Sequence, residues 1–270
     1  MDKTYTYKED SKKRSGAFSG VAAAAFAVVI AAAVLLAVML ADKSSVSAER
    51  QTEADGAAVL ASLASMDVQE VDRILNQRQA VEMISEIDAT PDADIWSQFR
   101  DYVVLGDSRA VGFSFYGFLQ EERVIADGGN SIRNISDALD TVSALAPSYI
   151  YLVYGLNDTG EGYWDTAEEY GESCVEVLGK LKNAAPDAKI IVSSTLPVTA
   201  SALEDNPVWN KIPSFSAAMA QACEKTGAVY IDNTELGELY MGTLWDEDGV
   251  HLKPEFYPLW AKNLLRGTIS

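Results

Sequence analysis

Residues 102–109, Tyr-Val-Val-Leu-Gly-Asp-Ser-Arg, join a short apolar run to a Gly-Asp-Ser turn and so predict a buried strand that leads into a helix. Four further apolar runs follow at residues 123–126, 150–154, 189–192 and 229–231. Longer amphipathic segments separate these runs, and a final helix is predicted from about Glu255 to Leu265. This alternation is typical of a parallel sheet covered by helices on both faces, which binds its ligands at the carboxyl ends of the strands.

Ser108 stands at the end of the first predicted strand, where its hydroxyl is either a helix N-cap or a nucleophile. A nucleophilic serine needs a base that works near neutral pH, and His251 is the only histidine in the chain. Asp248 precedes His251 by three residues in a turn-rich loop, so its carboxylate can curl back to accept the ring Nδ1–H. The alternative for His251 is a surface histidine among acidic neighbours.

Two other predicted strands end in glycine-rich turns. Gly128-Gly129 follows the second run, and Gly155-Leu156-Asn157-Asp158 follows the third. Acyl transfer needs hydrogen-bond donors where negative charge develops on the carbonyl oxygen. A glycine N–H, the Asn157 amide and the N–H of Ser108 itself meet that need, although each turn alone is compatible with ordinary turn chemistry.

The order Gly-Asp-Ser, Gly, Gly-x-Asn-Asp and Asp-x-x-His resembles the SGNH or GDSL hydrolase superfamily over about residues 100–268. The resemblance implies a flavodoxin-like α/β/α sandwich around five parallel strands. It also implies roles for single residues: Ser108 as nucleophile, His251 as base and Asp248 as the acid that orients it. Ser108, Gly129 and Asn157 would form the oxyanion hole, with Gly128 as the alternative to Gly129 because the glycine is doubled.

The residue after the serine is Arg109, where the usual form of the family motif has leucine or isoleucine. Arg109 either pairs with an acid such as Asp107 or Asp158, or holds an anionic group of the substrate through a bidentate contact. Aromatic residues are frequent in the loops after the strands, and they either pack in the core or line a cleft for sugars. The substrate-binding residues expected on these grounds are Arg109, Gly128, Asp158, Trp164 and Trp245.

An apolar run of 25 residues without a charge, 17–41, is long enough to cross a bilayer. The basic residues before it predict that residues 1–16 form a cytoplasmic tail, so that everything after the span is extracellular. Residues 42–94 are predicted to be a linker and a helical stalk, and residues 95–270 the catalytic domain. A signal peptide cleaved near Val46-Ser47-Ala48 is the alternative, and it also exports the domain.

The chain carries a net charge of −19, and −21 beyond the apolar run, where 16 basic and 37 acidic residues lie. Such a charge repels nucleic acid, so we expect no nucleic-acid partner. The two cysteines, Cys174 and Cys223, are compatible with a disulfide or with buried thiols, and their separation in sequence makes a metal site unexpected. We therefore expect no metal and no cofactor.

These features predict an extracytoplasmic serine esterase that is anchored in the cell membrane by its N-terminal helix. Its expected substrates are acyl esters, acetyl esters among them, on a cell-envelope polysaccharide or on peptidoglycan. The alternatives are acyl transfer to a saccharide hydroxyl by the same site, or a non-catalytic binding or scaffold module.

Overall fold

A computed structural model of the chain describes residues 68–269, with side chains from residue 72 onward. The predicted tail and membrane span, the linker, and the stalk as far as residue 67 lie outside the described residues. No helix between residues 68 and 269 is long and apolar enough to cross a membrane. The chain divides into two units, residues 1–78 and 79–270. Of the first unit, residues 68–78 are described, and they are helical.

The described elements alternate as the sequence predicts. The strands are β1 (Tyr102–Gly106), β2 (Val124–Ala126), β3 (Tyr149–Val153), β4 (Lys189–Ser193) and β5 (Val229–Ile231). The helices are α1 (Val68–Ala89), α2 (Ser108–Phe115), α3 (Ile135–Leu145), α4 (Leu156–Gly160), α5 (Ala167–Ala184), α6 (Ala200–Asp205), α7 (Ile212–Thr226), α8 (Thr234–Leu244) and α9 (Tyr257–Arg266). The predicted final helix divides into a 3-10 turn, Pro254–Phe256, and α9.

The five strands form one sheet in the order β2-β1-β3-β4-β5, and every neighbouring pair is parallel. The predicted five-stranded parallel sheet is therefore confirmed, and its order is that of flavodoxin-like, doubly wound sheets. In the register of the sheet, Gly106 lies beside Ala126 on one side and beside Val153 on the other. The turns that follow β1, β2 and β3 therefore leave the sheet at the same edge.

Each face of the sheet is covered by helices because successive strand side chains point to opposite sides. On one face, α3, α5 and α7 pack on strand residues such as Leu105 and Leu152. On the other face, α2 and α9 pack on strand residues such as Val104 and Tyr151, with Trp260 almost fully buried. The two cores hold the sheet rigid and leave its carboxyl edge to the loops.

Residues just before the predicted domain boundary at 95 contact the domain. Ile87 packs against the core that α9 covers. The Asp88 carboxylate accepts a hydrogen bond from Arg266 at 2.6 Å, and the Asp92 carboxylate accepts one from Lys262 at 2.9 Å. The end of α1, which the sequence predicts as part of the stalk, is thus attached to the α/β domain.

Cys174 on α5 and Cys223 on α7 are both free, buried thiols. Burial raises the pKa of each thiol, that of Cys223 to about 12. The sequence leaves open a disulfide or two buried thiols, and the structure has two buried thiols.

Candidate active site

The turn from β1 to α2 places Ser108 at the first position of a helix. Asp107 is the N-cap, and its carboxylate accepts a hydrogen bond from the Arg109 N–H at 3.0 Å. Gly106 is required by close approach, because a Cβ there would lie 2.3 Å from Ala110 Cβ and 2.6 Å from the Val153 carbonyl oxygen. The Ser108 N–H belongs to the first turn, where helix geometry supplies no acceptor. Ser108 therefore presents both its hydroxyl and its N–H at the edge of the sheet.

The loop before α9 holds Asp248 and His251 in a tight turn. One carboxylate oxygen of Asp248 accepts hydrogen bonds from the N–H groups of Val250 and His251, both at 2.9 Å. The other carboxylate oxygen lies 2.5 Å from Nδ1 of the His251 ring. Gly249 adopts φ +69° in this turn, and a Cβ there would lie 1.9 Å from Thr199 Oγ1. The backbone of the turn thus fixes the carboxylate, and the carboxylate fixes the ring.

The second ring nitrogen of His251 reaches the serine. His251 Nε2 lies 3.1 Å from Ser108 Oγ, so the structure brings Ser108, His251 and Asp248 into one hydrogen-bonded chain. Partial burial raises the pKa of Asp248, but the hydrogen bonds from the His251 ring and from two backbone N–H groups outweigh it and hold the pKa below its usual value. Asp248 is therefore ionised at neutral pH, which favours the tautomer with the proton on Nδ1 and leaves Nε2 free to accept a proton.

The two glycines after β2 differ in what their N–H groups do. The Gly128 N–H donates to the Asp127 carboxylate at 2.7 Å. Gly129 is exposed, adopts φ +80°, and its N–H makes no hydrogen bond to any residue that the structure describes. The N–H of Gly129 is thus the one available to a ligand, while the exposed Gly128 lies in the same turn.

Asn157 lies in the short helix α4 that follows β3. Its side-chain amide donates to the Asn130 carbonyl oxygen at 2.8 Å, which ties this helix to the turn that contains Gly129. An amide nitrogen carries two protons, so one remains for another acceptor. Gly155 before it adopts φ +126°, and a Cβ there would lie 1.7 Å from Thr195 Oγ1. The contact with Asn130 has no signal in the sequence because the acceptor is a main-chain oxygen.

Arg109 is buried, contrary to the expectation that it contacts substrate. Its side chain donates hydrogen bonds to the carbonyl oxygens of Val250 at 2.9 Å, Leu196 at 2.6 Å and Pro197 at 3.1 Å. Burial lowers its pKa to about 10, against the opposing charge of Asp107. Arg109 remains charged at neutral pH, and it joins α2, which begins at Ser108, to the loop of His251 and to the segment after β4.

Asp158, also expected at the substrate, is buried with no exposed surface. One carboxylate oxygen accepts a hydrogen bond from the Ile132 N–H at 2.9 Å, and the other has no partner among the described residues. Burial raises the pKa of Asp158 to about 7, against the Ile132 N–H, and the nearby Asp107 raises it further. Burial likewise raises the pKa of Asp107 to about 6, although the charge of Arg109 opposes this.

The two tryptophans expected at the substrate have their indole N–H groups occupied. Trp245, expected at the substrate, is buried and donates to the Pro197 carbonyl oxygen at 3.2 Å. Trp164 is half-buried, donates to Ser173 Oγ at 2.8 Å and stacks edge-on against Tyr170. Within residues 68–269, no group of three or more histidine, cysteine or acidic side chains could hold a metal ion.

The arrangement combines a hydroxyl, a base and a carboxylate with donors from two further strand ends. It can transfer a proton from Ser108 to His251 while N–H groups receive negative charge on a bound carbonyl oxygen. These are the requirements of acyl transfer through a serine ester.

Comparison with known proteins gives a family and a fold. Residues 104–259 match the GDSL-like Lipase/Acylhydrolase family. The lipase/acylhydrolase from Enterococcus faecalis has a similar structure, with 15% identity, a TM-score of 0.50, and 63% of this chain and 96% of that chain covered. So does a catalytic mutant of an acetylxylan esterase from Geobacillus stearothermophilus, with 17% identity, a TM-score of 0.50 and coverage of 62% and 92%. No curated protein sequence matches the chain.

Proposed function

Because the chain belongs to the GDSL-like lipase and acylhydrolase family, we propose that it hydrolyses small acyl esters with Ser108 as the nucleophile. The family assigns the enzyme class, a serine ester hydrolase. The observation that carries the assignment of residues is the hydrogen-bonded chain from Ser108 Oγ through the His251 ring to Asp248.

The reaction begins when His251 Nε2 takes the Ser108 Oγ proton and Oγ attacks the ester carbonyl carbon. The carbonyl oxygen becomes an oxyanion in the tetrahedral intermediate. Collapse of the intermediate breaks the bond to the alcohol, which leaves with the proton from His251. Water then attacks the acyl-enzyme, His251 takes the proton of water and returns one to Ser108, and the carboxylic acid departs. Asp248 stabilises the imidazolium formed in both halves.

The oxyanion in this mechanism is held by three donors: the N–H groups of Ser108 and Gly129 and the free amide proton of Asn157. The occupied N–H of Gly128 supports Gly129 as the glycine donor. Removal of one such donor in serine hydrolases lowers kcat by roughly 10²–10³.

Acetyl esters of an envelope polysaccharide are the substrates that we propose within this class. The fold is shared with a protein described as an acetylxylan esterase, and the predicted export through residues 17–41 would place the site outside the cytoplasm. Transfer of the acyl group to a saccharide hydroxyl would use the same acyl-enzyme. Acetate released into solution distinguishes hydrolysis from transfer, in which the acetyl group appears on an acceptor sugar.

The test of the mechanism is turnover of p-nitrophenyl acetate by the full chain. Ser108→Ala and His251→Ala are expected to lose about 10⁴-fold or more in kcat. Ser114→Ala is the matched control, because Ser114 lies in the same helix and, among the described residues, its hydroxyl bonds only to the Val111 carbonyl oxygen. Activity that survives Ser108→Ala would refute the assignment of the nucleophile.

The location is tested separately with reporter fusions. Alkaline phosphatase folds to an active form outside the cytoplasm, where its disulfides form. A fusion after residue 270 should therefore be active in intact bacteria, and deletion of residues 17–41 should abolish that activity. An active fusion without the apolar run would contradict its proposed part in export.

A further inference from the structure

A cavity of about 330 Å³ lies beside the carboxyl ends of β4 and β5, between α6, α7 and α8. Much of its wall is apolar and comes from Val198, Leu203, Trp209, Ile212 and Pro213, and the neutral polar residues Thr195, Asn210 and Thr234 also line it. None of the residues assigned above to the reaction lines it. Its volume is that of a small-molecule site, because ligand pockets run from about 300 to 1,000 Å³.

The lining of the cavity includes a buried hydroxyl group, that of Ser216. Ser216 on α7 is 7% exposed, and no hydrogen bond of ordinary geometry reaches its Oγ from any described residue. Tyr230, the middle residue of β5, has its hydroxyl near Ser216 and also lines the cavity. A buried hydroxyl without a partner loses the hydrogen bonds that water would give it.

The mouth of the cavity is acidic. Asp232 after β5 and Glu238 on α8 are exposed and line it, and the lining contains no lysine, arginine or histidine. The Asp232 carboxylate accepts the Thr234 N–H at 2.9 Å, which fixes its position beside the cavity. The net charge of the chain, −19, adds to the attraction for cations. Two carboxylates are too few for a metal site built from protein oxygens, since calcium takes about six to eight.

We infer that this cavity is a second ligand site, which binds a small organic ammonium ion with an apolar body. The apolar walls receive the body, and the two carboxylates at the mouth attract the charged group. The neutral hydroxyls of Ser216 and Tyr230 provide hydrogen-bond acceptors and no cation that would repel the ligand.

The cavity does not include Ser108 or His251, but two of its lining residues contact residues that pack around the active site. The carbonyl oxygen of Pro197 accepts hydrogen bonds from Arg109 and Trp245, and Pro197 is also one of the residues that line the cavity. Val198 belongs to a small apolar cluster that also contains Leu156 and Val250. These two residues directly precede Asn157 and His251 in the chain.

The test is calorimetric titration of the full chain with phenethylammonium, phenethyl alcohol and hydrocinnamate, which share a phenyl ring and a short linker. The ammonium ion should bind about tenfold more tightly than the alcohol, because each exposed charge pair contributes up to a factor of about five. Hydrocinnamate should not bind. Raising the salt concentration to about 1 M should remove most of the preference for the ammonium ion.

Variants test separately how the acidic mouth and the apolar walls contribute to binding. Asp232→Asn with Glu238→Gln should remove the preference for the ammonium ion and leave the affinity for phenethyl alcohol unchanged, since the amide oxygen of an asparagine side chain can still accept the Thr234 N–H. Glu224→Gln is the charge-matched control, because Glu224 is an exposed acid further along α7 that does not line the cavity. Ala217→Phe, at an exposed position of the lining, should abolish binding of both ligands.

Equal binding of the ammonium ion and the alcohol would overturn the inference, as would an undiminished preference in the Asp232/Glu238 double variant. Competitive inhibition of p-nitrophenyl acetate turnover, with an inhibition constant equal to the dissociation constant, would place the ligand at Ser108 and overturn it as well. Each variant is first compared with the wild type by thermal unfolding, and the single variants of Asp232 and Glu238 serve if the double variant does not fold.

Discussion

Replacement of Arg109 by leucine, the residue usual at this position of the family motif, is expected to impair both stability and catalysis. The change removes the donors to the carbonyl oxygens of Val250, Leu196 and Pro197. It also leaves the buried Asp107 without the opposing charge that lowers its pKa. A leucine at this position in other members of the family does not predict that Arg109→Leu will be tolerated, because the loops of this protein are packed around a guanidinium group.

The magnitude follows from what remains buried. Three acceptors lose charged donors, each worth about 1.5–3 kcal/mol, while the apolar leucine regains part of the loss. Breaking a buried charged contact typically costs about 3–5 kcal/mol, and we expect a loss in this range. For a domain of this size, 1 kcal/mol shifts Tm by roughly 2–4 °C, so Tm should fall by about 10 °C.

Catalysis should fall by more than the change in stability explains. The Val250 carbonyl belongs to the residue before His251, so its release frees the loop that holds the base 3.1 Å from Ser108 Oγ. A displacement of about 1 Å at a reacting group can lower the rate about 10²-fold. Arg109→Lys keeps the charge but cannot reach three carbonyls at once, so an intermediate loss is expected.

The assay measures kcat for p-nitrophenyl acetate at a temperature where circular dichroism shows both proteins folded. Arg123→Leu is the control, because it removes an arginine from a half-exposed position away from the His251 loop. If Arg109→Leu keeps kcat within about threefold of the wild type, Arg109 does not position His251, even if Tm falls.

Three further predictions follow from single contacts. Asp158→Asn should stabilise the protein increasingly as pH rises from about 4 to 7, because burial raises the Asp158 pKa to about 7. Between these pH values the unfolded chain loses the Asp158 proton while the folded protein keeps it, so wild-type stability falls until the folded pKa is reached. Urea unfolding at several pH values would show no such trend if Asp158 ionised at the same pH in the folded and unfolded states. Asn157→Ala should lower kcat by roughly 10²–10³ with a smaller effect on KM, whereas equal loss in Asp158→Asn would indicate a general collapse of α4. A fragment of residues 79–270 should unfold a few degrees above one of residues 95–270, because it keeps the Ile87 contact and the ion pairs of Asp88 and Asp92. Identical unfolding temperatures would show that these contacts do not contribute to the stability of the domain.

The five-stranded sheet and the hydrogen-bonded chain of Ser108, His251 and Asp248 could be predicted, because short stretches of sequence mark each strand, its turn and the Asp-His spacing. An apolar run that ends in Gly-Asp-Ser indicates both a strand and its turn, and a separation of three positions between Asp248 and His251 suffices for the carboxylate to reach the ring. Parallel strands then bring distant turns to one edge without further information. The choice between Gly128 and Gly129 needed the structure, because it depends on a contact with Asp127 that either glycine could have made.

The substrate contacts could not be predicted in this way, and the reason is physical. Arg109, Asp158 and Trp245 look like ligands for a substrate because they are polar or aromatic and lie beside catalytic positions, but each is buried. Arg109 bonds to residues 87 and 141 positions away in the chain, and the fold of those loops leaves no periodic pattern. A polar residue directly after Ser108 is therefore weak evidence for the substrate of the enzyme. In this protein Arg109 is buried in the first turn of α2, and its side chain points toward the loops around His251.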